Sequence, residues 1–209
     1  MSAAAARKLR PRNATEDAIL AAAREALVSD GYEKLTMDAI ARRAFTSRTN
    51  VYFYFANKRA LMDRLIQQAF ADMYIASAPY TEGNGEPRLE LRLALGRVVA
   101  VVNRNGPILL LAARLSGAED DRLPPEWEPF VARFVSGAEA RIARDQARGI
   151  APDDISSKIA AQALCAMVER HLTMEVMRGG GDVNETIRVL AELWWRAVYS
   201  MGSIGAPKA

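Results

Sequence analysis

The chain has one cysteine, Cys165, and one histidine, His171, in 209 residues. A single thiol excludes an intrachain disulfide, and this pair cannot build the usual zinc clusters. No metal ligand set and no cofactor motif is found. Proline is absent between Pro11 and Pro79 and again between Pro152 and Pro207, which leaves long stretches free to be helical. Long apolar runs are missing too: no aliphatic run is longer than Ile108–Ala113, far short of the ~20 residues that span a bilayer. Near the N-terminus Arg7, Lys8, Arg10 and Arg12 precede the short stretch Ile19–Ala23, which Arg24 interrupts, so a secretory signal is not expected. These absences lead to the expectation of a cytoplasmic protein without a membrane partner.

Half of the residues are hydrophobic and a quarter are charged, enough apolar material for a core in one large or two small domains. The net charge of +3 is unevenly spread. Residues 1–60 carry 11 Lys and Arg against 6 Asp and Glu, whereas the rest of the chain carries 17 against 19. A basic N-terminal quarter suits either a polyanion-binding module or a solvated charged face.

Periodicity is helical nearly throughout. Ile19, Ala22, Ala23, Ala26 and Leu27 mark a first helix that Gly31 follows. Thr36 is placed to cap a short second helix bearing Met37, Ile40, Ala41 and Ala44, and a third runs around Ser47–Phe53. Asn57 is placed to cap a fourth, with Leu61, Leu65, Ala69 and Met73 on one side. Beyond a loop at Pro79–Pro87, helices are expected at about 88–103, 107–116, 125–148, 153–178 and 183–201. The expected fold is all-α with about nine helices. A flexible basic tail (1–12) leads to a helix-turn-helix domain (13–60) and then to a larger helical bundle (61–209).

Two short helices joined by three or four residues have helix-turn-helix spacing, in which the second enters the major groove of DNA. The outer face of the third helix offers Ser47, Arg48, Thr49 and Asn50. Arginine pairs with guanine, asparagine with adenine, and hydroxyls reach phosphates or bases. Tyr52, Tyr54 and Lys58 follow where phosphate contacts position the protein, and Thr36 joins them at the start of the second helix.

These residues resemble the DNA-binding signature of the TetR family of repressors. The resemblance rests on Gly31-Tyr32, Leu35-Thr36-Met37-Asp38-Ala39-Ile40-Ala41, Ser47–Phe55 and Lys58–Leu61, within about residues 14–65. It implies a homodimeric repressor on a palindromic double-stranded operator, with a small-molecule effector bound by the C-terminal helices. The family's turn commonly reads Ala-Gly-Val-Ser, where this chain has Ala44-Phe45-Thr46-Ser47. A phenylalanine at positive φ is strained by roughly 1–3 kcal/mol, so either the turn takes another conformation or Phe45 packs somewhere.

The C-terminal half resembles the ethionamide-regulator branch of that family, through Trp127–Phe134, Ala163–Arg170 and Leu193–Tyr199. That resemblance implies an apolar channel lined by Leu91, Val98, Val102, Phe130, Phe134, Cys165, Val168, Glu169 and Trp194. The aliphatic identities at several of these positions imply a wider lining with few polar anchors and a small apolar effector.

From Ile159 to Val168 only Gln162 is polar, which asks for cover on more than one side. A cavity and a second subunit would supply it, as would the centre of a monomeric core. Glu169, Arg170 and His171 then form either an internal salt link or anchors for a ligand head group. Cys165 reads as an inert buried thiol, and Asp120-Asp121 and Asp153-Asp154 as helix caps. With no paired carboxylates, nucleophile–base pair or phosphate loop, an enzyme is not expected. The reading is a ligand-responsive repressor released by an apolar molecule. A constitutive DNA-binding protein and a helical carrier or enzyme for apolar molecules are the alternatives.

Overall fold

The computed structural model describes residues 14–116, 127–176 and 182–200, all helix and connecting turn. Eight α-helices and one π-helical turn occur among them: α1 (Ala14–Asp30), α2 (Met37–Arg43), α3 (Arg48–Tyr54), α4 (Lys58–Thr81), α5 (Pro87–Ser116), α6 (Trp127–Ala147), α7 (Ser157–His171), the π turn (Leu172–Val176) and α8 (Val183–Val198). The chain divides into two compact units, Met1–Leu65 and Ile66–Ala209, called here the head and the body. The division falls slightly beyond the boundary expected at 60.

In the head, α1 packs on α2 and α2 on α3. Ile19, Ala23, Ile40, Val51, Leu61, Met62 and Leu65 are fully buried and form its core. Thr36 and Asn57 cap as the sequence suggests, accepting from the Ala39 N–H at 3.1 Å and the Ala60 N–H at 2.8 Å. Ser47, expected on the outer face of the third helix, is that helix's cap and accepts from the Asn50 N–H at 3.1 Å. Each satisfies an N–H that the first helical turn leaves without a partner. Arg64 on α4 meets Glu16 on α1 at 3.1 Å, tying first and last helices of the head together.

The body pairs α6 with α7 and α5 with α8. Two expected breaks are not breaks. Asn105-Gly106-Pro107 does not divide the stretch into helices 88–103 and 107–116, because α5 runs through Pro107. An interior proline costs about 3 kcal/mol. Ile108 and Leu109 just beyond it are buried, and two such side chains contribute about 1.5–3 kcal/mol each, which offsets that cost. Pro79 likewise lies inside α4, not in a loop. The nine helices expected are therefore eight among the described residues.

The expected helix 153–178 begins only at Ser157, where Ser156 accepts from the Ile159 N–H at 3.4 Å. The cap is that serine, not Asp153 or Asp154. Asp120, Asp121, Pro124, Pro125 and the expected breaker at 179–181 lie outside the described residues. Pro87–Leu110 has the length and composition of a membrane-crossing helix, yet more than half of its most apolar stretch is buried inside the body, as in a core helix.

Candidate DNA-reading face and effector cavity

The first group of candidate residues lies on and around α3. Ser47 is its cap, and Arg48 and Thr49 are exposed in its first turn. Arg48 reaches Asp38 on α2 at 3.3 Å and lies over the Tyr52 ring, 5.4 Å from its centroid. The Tyr52 hydroxyl first, and the Asp38 carboxylate second, hold its guanidinium above the ordinary pKa. Asn50 is half-buried and donates to Thr46 Oγ1 at 2.8 Å, which braces the turn before α3. To read adenine with both amide atoms it would exchange that bond. Tyr52 is exposed and Tyr54 half-buried, with Tyr54 between the rings of Phe53 and Phe55.

Lys58 is committed more deeply. Its Nζ donates to the Tyr32 carbonyl at 2.6 Å and sits 3.7 Å from the centre of the Tyr32 ring. The lysine thus clamps the start of α4 onto the segment after α1, a role its spacing did not disclose. From Ala39 to Met62 the sequence has five basic residues and no acidic one, so this stretch favours a polyanion.

The turn between α2 and α3 departs from expectation in a specific way. The Phe45 N–H bonds the Arg42 carbonyl at 3.2 Å and the Thr46 N–H bonds that of Ala41 at 3.0 Å. This paired pattern closes a helix through a left-handed residue, normally glycine. Gly31 does so after α1 at φ 79°, whereas Phe45 does so at φ 50°. Neither expected remedy applies: the turn keeps the left-handed conformation, and the Phe45 side chain is 98% exposed. A left-handed non-glycine residue costs about 1–2 kcal/mol, and packing within the protein returns none of it.

The second group converges in the body. Leu91, Val98 and Val102 on α5, Phe130 and Phe134 on α6, Cys165, Val168 and Glu169 on α7 and Trp194 on α8 line one cavity of about 120 Å³. Met73, Ser77, Tyr80, Thr81, Leu95, Leu109, Ala138, Leu172 and Thr173 also line it, and were not expected in its wall from sequence. Phe70 stacks on Phe130 at 4.3 Å between centroids, and Phe134 meets Phe130 and Tyr74 edge-on. The polar groups of the wall are largely occupied. Ser77 donates to the Tyr74 carbonyl, Thr81 to that of Ser77, Thr173 to Glu169, and the Trp194 indole to Tyr80. Burial pushes the Cys165 thiol up to about 12, so it is not a thiolate at neutral pH.

The expected cluster Glu169–His171 is divided. Glu169 lines the cavity, whereas Arg170 and His171 line a separate open groove of about 540 Å³ with Met167, Met174, Val189 and Leu193. The residues turn through about 100° per position on a helix, so three in succession cannot share one wall.

A buried polar network abuts the cavity through Tyr80 and Trp194. Arg141 is fully buried and donates to Asp145 at 2.6 Å, to Glu90, and to the carbonyls of Tyr80, Gly83 and Gly85. Tyr199 donates to Asp145 at 2.9 Å, and its hydroxyl is 2.9 Å from that of Tyr80. Burial works against the Arg141 charge, but Asp145 and Glu90 outweigh it and raise the pKa. A side chain at Gly83 would strike the Pro79 carbonyl at 2.2 Å, so only glycine lets this loop approach Arg141. Sequence reasoning missed this network; an arginine and aspartate four apart beside Ala138 and Ile142 were the available signal.

A head with two short helices presenting arginine and hydroxyls, joined to a body with an apolar cavity, defines a helix-turn-helix transcriptional regulator. The family model for bacterial regulatory proteins of the tetR family matches residues 19–65, and that for the C-terminal domain of the transcriptional regulator EthR matches residues 92–200. The chain belongs to the TetR family of DNA-binding transcriptional regulators, with an EthR-type C-terminal domain. It is 27% identical to the HTH-type transcriptional regulator EthR of Mycolicibacterium smegmatis, over 91% of this chain and 88% of the relative.

Among solved structures, the fatty acid degradation regulator FadR of Bacillus halodurans aligns with a TM-score of 0.69 at 14% identity, over 88% of this chain and 96% of its own. SmeT, repressor of a multidrug efflux pump in Stenotrophomonas maltophilia, aligns at 0.67 and 17%, over 94% and 96%. SmeT in complex with triclosan aligns at 0.66 and 20%, over 94% and 97%. At these identities the three share the fold.

Proposed function

We propose that this regulator is a repressor that binds a palindromic operator as a homodimer and releases it when a small apolar molecule enters the body cavity. The carrying observation is the cavity: an apolar space whose polar wall groups are largely hydrogen-bonded within the protein. An effector with many polar groups would find few partners there and lose its hydration. Triclosan in the fold neighbour SmeT supports an apolar ligand class.

The size adds a mechanism. A space of about 120 Å³ is comparable to one that holds benzene, and ligand pockets run to about 300–1,000 Å³. A longer effector therefore parts the walls, and that displacement gives it a preference between conformations. Preference is the requirement: a ligand that binds both states equally shifts nothing. Release follows if the preferred state alters the spacing of the two heads on DNA.

The dimer face is assigned to α7 and α8. On α7, Ile159 is 66% exposed, and Ala163 and Ala166 continue its stripe. On α8, Val189, Leu193 and Ala197 are exposed, while Leu190, Trp194 and Val198 face inward. Two apolar stripes at helical spacing suit a four-helix contact with a second copy.

The test is a panel of fatty, aromatic and terpenoid compounds, read by thermal shift and by affinity for a selected operator duplex. An effector raises the melting temperature and weakens operator binding by about 5–150-fold, the usual range of coupling. Val168→Trp fills the cavity and removes both responses. If no compound acts and Val168→Trp matches wild type, the protein binds DNA constitutively. Light scattering that finds a monomer bound to operator refutes the dimer.

A further inference from the structure

We propose that Phe45 reads DNA, its ring resting on a thymine C5-methyl in the major groove. This rests on the DNA-binding reading of the head and adds a residue at a position where the family commonly has glycine.

Strain, exposure and placement support it together. The hydrogen bonds from Phe45 to Arg42 and from Thr46 to Ala41 fix the left-handed conformation of position 45. Glycine occupies such positions because any other side chain is disfavoured there, and Gly31 follows that rule one helix earlier. Phe45 does not, at φ 50°. Buried packing does not offset the penalty, because the side chain is almost wholly in solvent. The free protein thus holds a large apolar ring in a strained position with nothing gained from it. A bound partner that covers the ring supplies the gain.

The surroundings select that partner. Phe45 lies three residues before Arg48, in the turn that leads into the N-terminus of α3. In helix-turn-helix proteins the N-terminal residues of the second helix face base edges. Arg42, Arg43 and Arg48 around the turn are exposed, the last two in surface pairs with Asp30 and Asp38 that a phosphate can replace, and no acidic residue lies between Asp38 and Asp63. A basic surround suits a polyanion, which argues against an ordinary apolar protein partner. Duplex DNA presents one apolar group in the major groove, the thymine methyl, and phenylalanine is among the side chains that contact it.

The experiment uses the full-length protein and the duplex that it selects from a random-sequence pool. Each dT in that duplex is replaced in turn by dU, which removes only the methyl. Wild type should lose about fourfold in affinity at one dT of each half-site, the worth of burying one methyl group. Phe45→Gly and Phe45→Asn, both suited to positive φ, should bind the parent duplex more weakly and be indifferent to dU there. Their melting temperatures should not fall, since no core contact is lost. The proposal is overturned if both variants bind the parent duplex as tightly as wild type, or if wild type is indifferent to dU at every position. Arg48→Ala separates the two levels: if it weakens binding and the Phe45 variants do not, the DNA-reading head stands and the Phe45 assignment alone fails. If wild type enriches no sequence at all, both fail.

Discussion

Two arginine–aspartate pairs of the head and one of the body are held in opposite ways. In the head, Arg48–Asp38 and Arg43–Asp30 lie at the surface with both partners substantially exposed. In the body, Arg141 and Asp145 are wholly buried and joined to Tyr199, Tyr80 and Glu90. An exposed pair contributes little to stability and can be exchanged for a phosphate or a base edge at small cost. A buried pair cannot be opened without stranding a charge away from water. The difference teaches where binding specificity can be altered without risk to the fold. Arg43 and Arg48 of the head keep their charge at the surface, whereas Arg141 of the body fixes the loop and the aromatic walls beside the cavity.

The contrast breaks most visibly at Arg141. Arg141→Met leaves Asp145 buried with only the half-exposed Arg148, 3.9 Å away, as its cation and should cost about 3–5 kcal/mol in denaturant unfolding. A loss below about 1 kcal/mol, the range of a surface pair, would erase the distinction between the two regions.

Alkaline titration gives the next largest effect. Burial is the main reason that Tyr80 is pushed up to about 12, and it raises Tyr199 as well. Both are acids that lose a proton to become charged, so the folded state retains protons that the unfolded chain releases near pH 10. Their stabilising contribution is complete below pH 10 and is lost as pH rises from 10 towards 12. Tyr80 alone accounts for about 2–3 kcal/mol at 1.36 kcal/mol per pKa unit. Tyrosinate absorbance from these two should appear together with unfolding; its appearance in a still-folded protein contradicts the assignment.

In the head the effects fall on binding instead. Arg48→Ala should weaken the selected operator about 5–150-fold and relax base preference locally, with the melting temperature unchanged. Unchanged affinity and preference would remove Arg48 from the reading face.

Lys58 sharpens the comparison because it belongs to both types. Lys58→Ala should reduce the salt slope of DNA binding by about one unit and weaken all sequences alike. It should also lower the melting temperature, through loss of the Tyr32 contact. Binding that changes on one sequence only would contradict a positioning role.

The helix-turn-helix was legible because its determinants are local. Thr36 and Asn57 cap the helices that their spacing indicates, since a cap depends on N–H groups two or three residues away. The family resemblance also named nine side chains that meet in one cavity. The π turn after His171 was not legible, and neither was the continuation of α5 through Pro107. Local rules place breaks at proline and glycine, but α5 is held by what Ile108 and Leu109 bury.

By itself, then, the sequence determined the all-helical character, the caps of α2 and α4 and the basic charge around α3, because periodicity, capping and charge are properties of neighbours along the chain. Only the tertiary structure decided the rest. It brought Arg141 to Glu90 and to carbonyls 56 to 61 positions away, sent Glu169 and His171 to different surfaces, and left Phe45 left-handed and bare. Those outcomes depend on which distant groups compete for the same buried space and the same hydrogen bonds, and that competition takes place only in the folded chain.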